Sequence, residues 1–113
     1  MSTIVAQNSL TTRFAQSADD MQACQNLRHL LFFGAEGADV DQFDAKSKHL
    51  MIEKAGALVC TMRLRVFKGG ADLTDSYTGS FYDLSQLSGP AIEVGRFCLR
   101  NSGGQADVLR LAL

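Results

Sequence analysis

No apolar run in the chain approaches the ~20 residues that a membrane-spanning helix needs. Charge of one sign is also lacking: 11 Lys and Arg against 12 Asp and Glu leave a formal net charge of −1, so no global basic field points to nucleic acid. The cysteines, Cys24, Cys60 and Cys98, are odd in number and show no CxxC spacing. That pattern predicts reduced, buried thiols in a cytoplasmic protein, with peripheral membrane association left open. His29 and His49 stand without a matching ligand cluster, which argues against zinc. The first residues, Met1 to Gln7, lack the basic segment and long apolar stretch of a secretory signal. Proline occurs once, at Pro90, and neither an internal repeat nor a low-complexity stretch is present.

What remains is ordinary globular material: 46% hydrophobic and 20% charged residues over 113 positions, enough for one domain with a core and too few for two. Leu10 to Gln16 alternates like a short strand. Ser17 is placed as an N-cap, with Asp19 and Asp20 in the first turn and apolar Met21, Cys24, Leu27, Leu30 and Leu31 at helical spacing up to Gly34 and Gly37. Residues 35–44 form an acidic loop carrying Glu36, Asp39, Asp41 and Asp44, a composition more typical of a solvated turn than of a binding site.

A hairpin follows, with strands His49–Glu53 and Ala57–Phe67 around Lys54-Ala55-Gly56. In the second strand Leu58, Cys60, Met62, Leu64 and Val66 share one face, while Val59, Thr61, Arg63, Arg65 and Phe67 share the other. Lys68 to Ser80 is a polar connection long enough to be mobile, and Phe81 to Leu87 reads as a short helical or turn segment. Ala91 to Leu99 is a strand, followed by a Gly-containing loop and an amphipathic helical pattern from Ala106. That pattern runs to Leu113 uncapped, whereas globular helices average about 11–12 residues. The expectation is a single domain over residues 1–113, the front part of a longer fold. Its class is an α/β or α+β sandwich: a mostly antiparallel sheet flanked by helices.

The strand Ala91–Leu99 carries Glu93 and Arg96 where a core strand should be apolar, and an unpaired charge there costs several kcal/mol. Two readings stand. The pair belongs to a structural network, with each other or with neighbours, or it belongs to a site. Residues three apart face opposite sides of a regular strand, so a direct pair needs a bulge, for which Gly95 is suited. Arg63 and Arg65 are equally readable as a solvated sheet face.

Taken together, these residues fit a thioester-dependent N-acyl transfer, which needs a deprotonated amine, a polarised carbonyl and a grip on the donor. Glu93 can accept the amine proton, directly or through water, and backbone N–H groups around Gly95 can polarise the thioester. Gly103-Gly104 and the following helix offer a phosphate seat. Asp41 and Asp44 can hold a cationic amine and Arg63 a carboxylate.

Four segments in order resemble one acyltransferase group. Arg28-His29-Leu30-Leu31-Phe32 resembles its helical R-x-x-x-F motif, and Asp41-Gln42-Phe43-Asp44 followed by His49-Leu50-Met51-Ile52 resembles D-x-F-D…H-L-L-V. Cys60-Thr61-Met62-Arg63-Leu64 resembles G-x-x-R-L, and Glu93-Val94-Gly95-Arg96-Phe97-Cys98 resembles E-L-G-R-x-C. The group contains the ornithine N-acyltransferases of ornithine-lipid synthesis (hemolysin-like acetyltransferases) and is close to the acyl-homoserine-lactone autoinducer synthases. The resemblance spans residues 25 to 113 and implies a GNAT-like fold. It implies an acyl thioester donor, acyl-CoA or acyl-carrier protein, with no tightly bound cofactor, and a small amine acceptor. It implies Glu93 as catalytic base beside Gly95 and Arg96, with Arg28, Phe32, Asp41, Asp44 and Arg63 shaping the substrate site. Arg100 and Gly103 match the donor-binding loop, to which Gly104 is also assigned although it stands near the place of a family basic residue, and Gln105 occupies the loop's final small position. Gly95 in place of serine favours the ornithine-lipid branch over the autoinducer branch. A non-catalytic half-domain that binds an acyl carrier or forms a homodimer through a sheet edge is the competing expectation.

Overall fold

Four strands succeed one another across a sheet in a computed structural model, which describes residues 10–69, 72–84 and 86–100. They are β1 (Leu10–Phe14), β2 (Lys48–Lys54), β3 (Ala57–Phe67) and β4 (Ala91–Leu99), with helix α1 (Ala18–Phe33) between the first two. The order is β1-β2-β3-β4 and every neighbouring pair is antiparallel. The expected α+β class is therefore met. Among the described residues no helix is long and apolar enough to cross a membrane.

The first strand stops at Phe14, two residues short of the expected end. Ala15 still donates its N–H to the His49 carbonyl at 2.8 Å, but Ser17 is already the helix cap, accepting from the Asp20 N–H at 3.0 Å. Asp20 in the first turn also takes both terminal nitrogens of Arg13, at 2.8 and 3.0 Å, which ties the helix start to β1. Helix α1 packs across β3 and β4 and buries Cys24, Leu27 and Arg28. Gly34 ends it in a left-handed conformation (φ 71°), its N–H bonded to the Leu30 carbonyl at 2.9 Å. An L side chain at that φ would meet the backbone, which is why glycine is the usual residue there.

In β3 the chemical alternation is as expected, but the alternation of exposure is not. Val59, Cys60, Thr61, Met62 and Arg63 are all buried, because this stretch sits between β2 and β4 with both faces covered. Val66 is exposed and Phe67 buried, so the half-buried pattern returns at the strand's end. Ile52, Val59 and Cys60 form a buried apolar cluster, with Leu10 and Leu99 packed against it. Each such side chain removed from water contributes about 1.5–3 kcal/mol. The three thiols are buried and unpaired, and burial pushes Cys60 and Cys98 up to about 11, which keeps them protonated and unreactive.

The connection expected to be mobile is instead folded down. Its described residues form two 3-10 turns, Asp72–Asp75 and Thr78–Ser80. Leu73 is buried, and so is Ser76, whose hydroxyl donates to the Leu73 carbonyl at 2.6 Å and accepts from the Gly79 N–H at 2.8 Å. The stretch after it is a turn, closed by the Leu87 N–H on the Leu84 carbonyl at 3.0 Å. The helical pattern from Ala106 lies outside the described residues.

Strands β2 and β3 are joined by two residues, Ala55 (φ 51°) and Gly56 (φ 82°), both left-handed as a type I′ hairpin requires. Alanine is poorly suited to the first of these, and asparagine tolerates it. Ala55→Asn is expected to raise stability by about 0.5–1 kcal/mol. A chemical denaturation curve showing an unchanged or lower midpoint would contradict this turn geometry.

Candidate active site

Three arginines and three aspartates close into a ring beneath the sheet's polar face. Arg28 of α1 gives its two terminal nitrogens to the Asp44 carboxylate at 3.0 and 2.9 Å. Asp44 also takes Arg63 of β3 at 3.1 Å, and the same Arg63 nitrogen reaches Asp41 at 2.6 Å. Asp41 then takes Arg96 of β4 at 3.0 Å, and Arg96 Nε lies 3.3 Å from Asp39. Asp39 closes the ring on Arg28 Nε at 3.1 Å, and its carbonyl accepts from Arg28 as well. The half of the acidic loop from Asp39 to Asp44 is therefore not the solvated turn its composition suggests. Asp39 and Asp41 turn inward while Val40 between them is exposed. Arg63, 6% exposed, is not on a solvated face either.

Burial raises the pKa of Asp44, but the bonds and charge of Arg28 outweigh it and hold the carboxyl down at about 2. Asp41 is lowered in the same way, its burial outweighed by Arg63 and the Phe43 N–H. Asp44 accepts further bonds from Gln25 at 3.1 Å and from the Asp41 N–H at 3.2 Å. With these acceptors committed to the protein's own arginines, Asp44 has no free face for a substrate amine, and one terminal nitrogen of Arg63 is taken up by Asp41 and Asp44.

Glu93 and Arg96 do not pair with each other. Arg96 turns to Asp41, and Glu93 turns to the folded connection. Its Oε2 accepts from the Thr78 N–H at 2.7 Å and from the Thr78 hydroxyl, and its Oε1 from the Tyr77 N–H at 3.3 Å. Burial raises the Glu93 pKa, but these donors and the charge of Arg63 bring the net shift below the usual glutamate value. The bulge expected around Gly95 is present: Gly95 pairs with Arg63 and Cys98 with Thr61, so Arg96 and Phe97 together oppose Met62. The left-handed residue is Arg96 (φ 51°), not the glycine. A non-glycine residue there costs on the order of 1–2 kcal/mol, and the ion pairs on its guanidinium hold it in place.

Glu93, Gly95, Arg96, Arg63 and Arg65 converge on one cavity of about 200 Å³, completed by Ser47, Tyr77, Thr78 and Val94. Tyr77 roofs it, with the Arg96 guanidinium 5.5 Å from its ring centre. Arg65, on the same face, is drawn aside by Asp75 at 2.6 Å. Three other expected site residues lie elsewhere. Phe32 is 45% exposed on α1 and lines neither this cavity nor the larger one described next. Arg28 is buried inside the ring. Arg100 borders a separate cavity of about 900 Å³ between α1 and the start of β3, lined by Ala23, Leu27, Leu30 and Leu58 among others. The expected donor-binding residues Gly103 and Gly104 lie outside the described residues. Tyr77, Thr78 and Asp75 were not legible beforehand, since polar residues in a long connection carry no periodic signal.

Asp44→Asn removes a charge from between two buried arginines and is expected to cost about 3–5 kcal/mol in urea denaturation. The depressed carboxylates fix the sign of the acid response. Their stabilisation is complete above the unfolded-state pKa of about 4 and is lost as pH falls toward 2. A melting temperature that holds steady as pH falls from about 4 to 2 would rule the ring out as a folded-state feature.

A family model described as an acetyltransferase (GNAT) domain matches residues 16–112. No curated protein and no solved structure matches the chain. The matched span covers all four ring-bearing segments, Glu93 and the bulge of β4, and the sheet and helix are those of part of a GNAT fold. The chain belongs to the GNAT acetyltransferase family, whose general activity is N-acyl transfer.

Proposed function

We propose that the domain moves an acyl group from a thioester, carried by coenzyme A or an acyl-carrier protein, to the amine of a small amino-acid-like acceptor such as ornithine. The observation that carries this reading is the single cavity in which an ionised Glu93, the β4 bulge and Arg65 and Arg96 meet. One anion among cations suits a zwitterion: the acceptor's ammonium toward Glu93, its carboxylate toward Arg65 and Arg96. The ammonium role moves to Glu93 from Asp41 and Asp44, which are committed to the ring and do not line the cavity, while Arg63 lines it beside Arg65 and Arg96 and can share the carboxylate.

In the transfer, the amine nitrogen forms a bond to the thioester carbonyl, the carbon–sulfur bond breaks, and the amine proton ends on the departing thiolate. Glu93 is a weak base, because its carboxyl is held below the usual range. It holds the acceptor and orders a water that carries the proton away. Backbone N–H groups released by the bulge at Arg96 are suited to the developing oxyanion.

Thiol release from acyl-CoA and long-chain acyl-carrier protein, measured against a panel of amines with and without a carboxylate, tests this. Amino acids are expected to be turned over in preference to simple amines, and Glu93→Gln is expected to lose about 10²-fold or more in kcat/KM. The pH profile should rise toward alkaline pH as the acceptor amine deprotonates, with no limb from Glu93 near neutrality. Thiol release no greater than in Glu93→Gln, across the whole panel, would sink the proposal. Consumption of S-adenosylmethionine with lactone formation would move the assignment to autoinducer synthesis.

A further inference from the structure

The cross-strand neighbour of Glu93 is Arg65, and opposite charges directly across a ladder ordinarily pair. Here they do not. Arg65 instead grips Asp75 twice, on its carbonyl at 3.0 Å and its carboxylate at 2.6 Å. This fastens the 72–80 segment over the sheet. One turn later the same segment presents two N–H groups and the Thr78 hydroxyl to Glu93. The turn is built to hold that pose. Ser76 is 1% exposed and bonded on both sides, and a Cβ at Gly79 would lie 2.1 Å from the Leu73 carbonyl oxygen, so only glycine fits.

The geometry points to Thr78 as a positioning residue for acyl transfer, acting through Glu93: its hydroxyl and N–H fix one carboxylate oxygen, leaving the other oxygen, on which Tyr77 makes only a long contact, for the acceptor. This rests on the acyl-transfer reading above. The charged and titratable groups around Glu93 are Arg63 and Arg65 from β3, Arg96 from β4 itself, Asp75 and Tyr77 from the segment, and Lys46 and Asp41 from the loop before β2. Thr78 does not titrate, which sets it apart from all of these. It is uncharged and within hydrogen-bond reach, so replacing it changes the hold on Glu93 without changing the charge of the site.

The test is the Glu93 side-chain carboxyl titration followed by carbon NMR, alongside thioester kinetics, in the whole protein and in Thr78→Val and Thr78→Ser. Thr78→Val is expected to raise the Glu93 midpoint by about one pH unit and to lower kcat about tenfold at unchanged KM for the donor. Thr78→Ser is expected to restore both. An unmoved midpoint in folded Thr78→Val overturns the proposal, and so does a moved midpoint with unchanged kcat. A moved midpoint in a protein that turns over no thioester would uphold the hold on Glu93 and reject the acyl-transfer reading instead. Should Thr78→Val fail to fold, Thr78→Ala with the same titration decides the matter.

Discussion

The ring of Arg28, Asp44, Arg63, Asp41, Arg96 and Asp39 is the constraint on which the rest of this structure depends. It joins the helix and the loop to two strands whose register the ladder already sets. Its members are balanced in sign, so the cluster carries no net charge into the interior. Desolvating six ions is expensive, and the mutual attraction offsets rather than greatly exceeds that expense. The value of such an arrangement lies less in net stability than in uniqueness. A helix rotated by one residue, or a loop shifted by one, would strand a guanidinium without a carboxylate.

The ring also explains how β4 can carry a left-handed arginine. A bulge in the middle of a strand loosens the ladder and costs backbone energy. Arg96 is held from its side chain by Asp41 and Asp39, so the distortion is set from the loop and not from β4 alone. Gly95 has no close neighbour where a side chain would stand, so packing does not demand a glycine there. Structural anchoring and the shape of the cavity are thus one feature. The aspartates that might have met a substrate hold the wall of the site in place, and Glu93, held by a different segment, is the carboxylate left facing the cavity.

Much of the architecture was legible from local chemistry. The Ser17 cap, the Gly34 stop, the Ala55-Gly56 turn and the chemical alternation of Ala57–Phe67 each follow from a few neighbouring side chains. The presence of charge at Glu93 and Arg96 was legible too, as was the need for a bulge between them. What that charge paired with was not. Asp39, Asp41 and Asp44 look like a solvated turn until α1 and β3 bring arginines to them. The 68–80 connection looks mobile because its anchors, Leu73 and Ser76, are single residues without a period.

By itself, then, the sequence determined the elements, their order and the residues that bear charge, because capping, turn conformation and strand alternation are decided within a few residues. Only the tertiary structure decided which charges cancel and which face the cavity. That depends on contacts between residues as far apart as Asp41 and Arg96, and on Thr78 reaching Glu93 across the sheet. Ion pairing and hydrogen bonding are short-ranged in space but indifferent to separation along the chain, so no local pattern can announce them.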